Sequence, residues 1–386
     1  MNRRTARLAP FFALALFVAL GGIVVRGANA RTGETMPSVP PGFSIETIAH
    51  VSAPRELAVA PNGDLLVGTS GSAVVIVADA TGTPRAPHVF ATLPDRFAAG
   101  VALGPKALYV GTYGGVWRLP YAPGDRTASG APEKLAAVRT GREMGHTTTS
   151  VAVGRETLYA SVGSSCNVCE ESDPTRATIQ AMSLDGSNRR TRAAHIRNAI
   201  ALTVDPATDS LWAGVAGQDE LAPGHPYEIF DDIGAHAGTP DYGWPTCYEN
   251  HRAVDGKRDC SRQTTSRVVF PAYETPIGAA FYAASSNEAH DFPETYRAGA
   301  FIALHGSWHT PLVEPRVVFV PMHGDTPLTP VEWNDPTAQW KTFVGGFQQH
   351  DGSRIGRPTG VAVGPDGSLF VGDDLADAIY RIRPKR

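Results

Sequence analysis

The chain has 386 residues, enough for a large core in one or two domains, with 40 glycines, 31 prolines and only 19% charged residues. That balance suits a turn-rich β protein, and with a formal net charge of −4 nothing in the composition looks like a nucleic-acid binder. Apart from one run near the N-terminus, no stretch reads as a membrane-spanning helix.

That run is Leu8–Val25, preceded by Arg3, Arg4 and Arg7 and followed by the small-residue site Ala28-Asn29-Ala30. The pattern predicts a secretory signal peptide over residues 1–30, cut after Ala30, with no stable membrane insertion afterwards; a retained anchor is the competing reading. Removing it takes four arginines and leaves 30 basic against 38 acidic residues, a charge of −8. The expected location is the periplasm or the medium outside the cell. Cys166, Cys169, Cys247 and Cys260 are an even set, so disulfides are expected there. Three connectivities are possible, of which Cys166–Cys169 with Cys247–Cys260 is the simplest, and a zinc site is the alternative.

Residues 31–42 form a polar lead-in ending at Pro40-Pro41-Gly42. Phe43–Ala49 alternates as a strand does. A hairpin unit then begins, Leu57–Gly68, whose turn is Pro61-Asn62-Gly63. It returns at Val101–Gly111, Ser150–Val162 and Leu202–Gly214, in a degenerate form from Phe292-Pro293 to Leu304, and at Val361–Gly372. A further apolar strand follows several copies, as in Val74–Val77, Gly115–Leu119, Ile179–Met182, Val317–Val320 and Ile379–Ile382.

Copies stand roughly 45–50 residues apart where nothing intervenes, a period that fits propeller blades. Blades packed radially cover each other's faces. Six copies predict an all-β, six-bladed β-propeller over residues 43–386, with Phe43–Ala49 closing the ring near Ile379–Ile382. A sandwich or two β domains is the alternative. The stretches that break the period, Cys166–Arg176, Gly217–Arg262 and Gly324–Ile355, are the candidate functional loops.

The stretch Gly145–Ser164 sets a histidine, His146, just ahead of one hairpin. Arg197-Asn198 precedes another, and Gly356-Arg357-Pro358 precedes the last. Tyr227-Glu228-Ile229 and Tyr242-Gly243-Trp244-Pro245 lie in the long insertion. Loops at one end of a propeller converge on its axis. A histidine, two arginines and an asparagine there form a cationic pocket suited to a small polyanion.

These residues resemble the soluble pyrroloquinoline quinone (PQQ)-dependent aldose dehydrogenases, also called glucose/sorbosone dehydrogenases. Arg197-Asn198, Tyr242-Gly243-Trp244-Pro245 and Arg357 ahead of Gly364-Pro365-Asp366-Gly367 carry the likeness, and His305-Gly306-Ser307-Trp308 resembles the sorbosone branch. The resemblance implies a six-bladed propeller that binds PQQ and Ca2+, oxidises a sugar, and passes electrons to an external acceptor. It implies that His146 is the general base, working as a neutral imidazole near its ordinary pKa. It implies that Arg197, Asn198, His305 and Arg357 hold the quinone. The Gly217 and Gln218 carbonyls would bind the catalytic calcium, and Glu228 with the Tyr242 main chain a second, structural calcium.

Three positions depart from the family pattern. His305 replaces a lysine, Ser164 replaces the acid that steadies the base, and Phe97-Ala98-Ala99-Gly100 lacks a glutamine. Ser164 and His305 favour a second reading, an exported binding module without catalysis. A third, a calcium-dependent lactonase-type propeller, would recruit Asp173, Asp219, Asp373 and Asp374.

Overall fold

The computed structural model describes residues 35–138, 145–282, 289–309 and 312–385. The leader expected over residues 1–30 lies outside them. Six antiparallel sheets, five of four strands and one of five, carry the architecture.

Blade 1 runs from the axis outward as Pro54–Val59, Leu65–Thr69, Ala73–Val77 and His88–Thr92. Blade 2 repeats this with Gly100–Leu103, Ala107–Thr112, Gly115–Pro120 and Glu133–Ala137. Blade 3 is Val151–Val153, Thr157–Val162, Thr178–Ser183 and Arg190–Ala193. Blade 4 is Ala199–Val204, Leu211–Val215, Glu228–Asp232 and Val268–Phe270. Blade 5 is Pro276–Tyr282, Gly299–Leu304, Arg316–His323 and Lys341–Val344, with a short added strand. Blade 6 is Pro358–Val363, Leu369–Asp373, Ala378–Pro384 and, outermost, Phe43–His50.

The six inner strands contact one another in a closed cycle, blade 6 returning to blade 1. Among the described residues the first strand pairs with the last, Phe43 opposite Pro384 and His50 opposite Ala378, so the expected closure is present. Second and third strands are buried on both faces, because each lies between neighbouring blades. Leu65–Thr69 and Ala73–Val77 accordingly read as continuous apolar runs, not as an alternation. Close approach between blades needs glycine at Gly111, where a Cβ would stand 2.0 Å from the Thr149 carbonyl oxygen. The Pro61-Asn62-Gly63 turn holds Gly63 at φ +83°, a conformation that side chains disfavour.

One repeat is corrected. The degenerate hairpin read from Phe292-Pro293 is not the blade 5 hairpin: the inner strand is Pro276–Tyr282, paired with Gly299–Leu304. Its turn has been replaced by a long connection, and Phe292 instead packs into an aromatic cluster 4.8 Å from Phe43. Both simple disulfides are present, Cys166–Cys169 and Cys247–Cys260, which leaves no thiolate for zinc. Among the described residues the only helical pieces are two three-residue turns, and no helix is long and apolar enough to cross a membrane.

Candidate functional site

Every expected site residue on a propeller loop falls at one end of the ring. His146, Arg197-Asn198 and Arg357 lead into the inner strands of blades 3, 4 and 6. Gly217-Gln218 and His305 follow the second strands of blades 4 and 5, at that same end. At the opposite end the inner strands surround a recess of about 590 Å3.

His146 is held from one side. Its Nδ1 lies 3.1 Å from the Ser164 carbonyl oxygen and 3.0 Å from Ser164 Oγ. The Ser164 hydroxyl donates its own proton to the Cys166 carbonyl at 2.7 Å. Nδ1 therefore faces only acceptors and carries the ring proton, which leaves the lone pair on Nε2. The expected ordinary pKa is corrected: burial, then the Arg197 charge and also Arg176, push His146 down to about 3. Ser164 offers no negative charge to oppose them.

Arg197 is buried, and its five N–H donors all meet protein acceptors. Nε donates to the Asn167 carbonyl at 3.2 Å, and Nη2 donates to Asn167 Oδ1 at 2.9 Å and Asp219 Oδ2 at 3.3 Å. Nη1 donates to the carbonyls of Ala216 and Gly217. The guanidinium fork expected to grip a cofactor thus grips the Cys166–Cys169 loop and the Gly217 turn. Asn198 is buried beside His146: both side chains crowd Gly163, whose Cβ would stand 2.5 Å from Asn198 Oδ1 and 2.7 Å from His146 Cβ.

The second half of the site lies across the axis. His305 is buried, its Nδ1 3.0 Å from the Pro358 carbonyl. Burial, Arg357 and Arg55 lower its pKa well below the ordinary value, so it is a neutral hydrogen-bonding group and does not replace a lysine's charge. Arg357 donates to the His305 carbonyl at 3.2 Å and the Gly306 carbonyl at 3.1 Å. Arg55, missed in the sequence, pairs with Asp374 at 3.0 Å. A signal was there: Arg55, Arg197 and Arg357 each stand at the entrance of an inner strand, the same place in three repeats.

Of the expected metal ligands, Gly217 and Gln218 adjoin Arg197, and Glu228 accepts N–H bonds from Gly217 at 2.7 Å and Tyr273 at 3.0 Å. Burial raises Glu228 to about 7. The oxygen set has the chemistry a hard cation requires, but a cation on the Gly217 carbonyl competes with Arg197 Nη1 for that oxygen. Tyr242 lines one small cavity with Gly217 and Gln218, and Glu228 accepts the Gly217 N–H. That cavity, of about 70 Å3, has Glu249 as its carboxylate, and the Tyr242 carbonyl accepts from Gln263 at 3.1 Å.

The lactonase carboxylates do not converge. Asp173 caps its own turn, Asp219 pairs with Arg197, Asp373 accepts the Arg357 backbone N–H, and Asp374 pairs with Arg55.

The ring and this site define a six-bladed propeller whose one end gathers arginines round two neutral, oriented histidines, His146 and His305. Solved structures share that architecture. The holo pyranose dehydrogenase PQQ domain of Coprinopsis cinerea superposes with a TM-score of 0.76 at 19% identity, covering 90% of this chain and 97% of that one. A calcium structure of the Trichoderma reesei carbohydrate-active enzyme of family AA12 gives 0.75 at 19% identity, covering 93% and 99%. The TrAA12-like family model matches residues 37–257 and 249–385, and the chain belongs to that family. An uncharacterized protein of Borreliella burgdorferi is 27% identical over 229 residues, 58% of this chain and only 56% of that relative's length.

Proposed function

We propose that this chain is an exported quinoprotein dehydrogenase that oxidises a sugar and hands the electrons to an external acceptor. The observation that carries this reading is His146. It is neutral, fixed as the Nδ1–H tautomer, and set among guanidinium groups with no converging carboxylates. Membership of the TrAA12-like family and the likeness to a PQQ-bearing pyranose dehydrogenase domain support it.

The residues fit a small polyanionic quinone. Arg55, Arg197 and Arg357 supply positive charge, Asn198 and His305 supply neutral polar contacts, and the two histidines add no competing anion. When bound, PQQ supplies a two-electron acceptor, and a calcium ion on the Gly217 and Gln218 carbonyls would polarise its carbonyl. His146 Nε2 accepts the proton of the sugar hydroxyl as the adjacent carbon is oxidised. Ser164 and the Cys166 carbonyl keep the ring oriented while it does so.

The test is reconstitution of the purified chain with PQQ and calcium, following bound-cofactor absorbance and dye reduction over a panel of aldoses and sorbosone. Calcium-dependent binding with turnover lost in His146→Ala is the expected result. No binding at all would sink the reading. Binding without turnover across a wide panel would favour the non-catalytic binding module, which the neutral Ser164 beside His146 also favours.

A further inference from the structure

A second recess, of about 860 Å3, opens beside the axial site at the same end of the ring, between loops of blades 4 and 5. That size lies within the ~300–1,000 Å3 of sites that enclose small organic ligands. Its walls include the rings of His225, Tyr227, Tyr273 and His309, with Glu220 at the edge.

Two of these rings, Tyr273 and His309, begin a ladder of stacked rings that Trp308 extends beyond the lining of the recess. Tyr273 and His309 lie 3.8 Å apart at 16°, and Trp308 stacks on His309 at 4.1 Å and 22°. The ladder is anchored. Tyr273 Oη accepts the Glu220 N–H at 3.1 Å, and His309 Nδ1 lies 3.2 Å from Ser307 Oγ. His309 Nε2 sits 3.5 Å from Asp219 Oδ1, and the other Asp219 oxygen pairs with Arg197 at 3.3 Å. Asp219 thus lies between the ladder and the axial site.

Trp308 itself is 73% exposed, the most exposed large apolar side chain among the described residues. An indole stacked on one side and open to water leaves a large apolar face that folding does not bury. A partner that covers it gains that transfer free energy. The flat rings offer an apolar face, while Glu220 and His225 offer polar edges. This pairing matches a neutral pyranose, whose ring C–H face is apolar and whose rim carries hydroxyl groups.

We propose that the ladder of Trp308, His309 and Tyr273, with the adjoining recess, is a carbohydrate subsite that holds neutral hexopyranose units beyond the sugar at the axis. The inference rests on the sugar-oxidising reading and extends it: the substrate class is an oligosaccharide. Trp308 supplies the outer stacking face and Tyr273 with His309 the wall of the recess.

Calorimetric titration of the full chain without quinone tests this directly, using cellotetraose, mannotetraose and maltotetraose against glucose and mannose. At least one tetraose should bind ten-fold or more tightly than its monosaccharide. Trp308→Ala should abolish that difference, Trp308→Phe should keep most of it, and the melting temperature should stay unchanged in both. No preference for any tetraose, or a preference that survives Trp308→Ala, overturns the proposal. A Trp308→Ala effect confined to reduction of a protein electron acceptor would mark a protein-docking surface and overturn it too. Because the titration needs neither cofactor nor turnover, failure of the quinone chemistry leaves its outcome separately readable.

Discussion

The strength of His146 as a proton acceptor is set first by its burial and then by the charges around it. Burial, Arg197 and Arg176 hold it at about 3, against 6.5 for an exposed imidazole. Between those values the unfolded chain binds a proton that the folded chain refuses. The folded state therefore loses stability from this residue as pH falls from 6.5 toward 3. The acid limb of kcat/KM, which reports the free enzyme, should lie well below pH 6.5; a limb at that value would refute the assignment. An anionic cofactor neutralises the arginines, so the His146 ring proton followed by NMR should titrate at a higher pH once PQQ is bound. Glu56 has the opposite sign. It projects from the inner strand of blade 1, its Oε1 shut off from water with no hydrogen bond, and burial raises it to about 8 from 4.5. The folded state holds this proton through that window, so stability falls as pH rises toward 8. Glu56→Gln should flatten the decline and stabilise the protein at alkaline pH, by a few kcal/mol at most at ~1.4 kcal/mol per pK unit. Equal pH dependence of urea midpoints in variant and parent would refute it.

The element that organises the site is the four-residue loop closed by Cys166–Cys169. Its Cys166 carbonyl fixes the Ser164 hydroxyl behind His146, and its Asn167 receives Arg197, the Trp244 indole N–H and the Asp219 backbone N–H. The second disulfide, Cys247–Cys260, encloses a longer loop that, among the described residues, supplies none of the hydrogen bonds to the His146 ring or the Arg197 guanidinium. By loop-closure entropy the short loop contributes ~2 kcal/mol and the long one ~3 kcal/mol. Stability and function should therefore cross. The Cys166→Ser/Cys169→Ser variant should lose less in melting temperature but more in PQQ affinity, roughly ten-fold, than Cys247→Ser/Cys260→Ser. Equal affinities would remove the loop from the site. The sequence disclosed the hairpins because each keeps its turn and its apolar strands in one short window. Blade 5 was misread because an insertion replaces the turn after Pro276–Tyr282, and Phe292 imitates a strand while serving the core. The saturation of Arg197 was not legible for a related reason. Its acceptors come from Asn167 and Asp219, on loops of different blades, and only the ring brings them together.

At the scale of the whole molecule, the ring is held shut by one strand. Phe43–His50 comes from the start of the chain and completes the sheet formed by its end. A linear stack of blades would fray from its terminal repeats, since each contacts only its neighbours. Closure removes both ends, and the inner strands then support one another in a cycle. The seam is fixed by Phe43, which is 3% exposed and packs edge-on against Phe292 at 4.8 Å and Phe343 at 5.0 Å. It thereby ties blade 6 to blade 5. Phe43→Ala removes a buried ring from a close-packed cluster, a change that costs ~3–5 kcal/mol. If closure makes the propeller one cooperative unit, that loss should lower the melting temperature of the entire molecule in a single calorimetric transition. The axial site should be lost in the same transition, because Arg55 and Asp374 meet across the joint between blades 1 and 6. Two transitions, with blades 5, 6 and 1 melting ahead of the rest, would mean that the blades are stable without the seam.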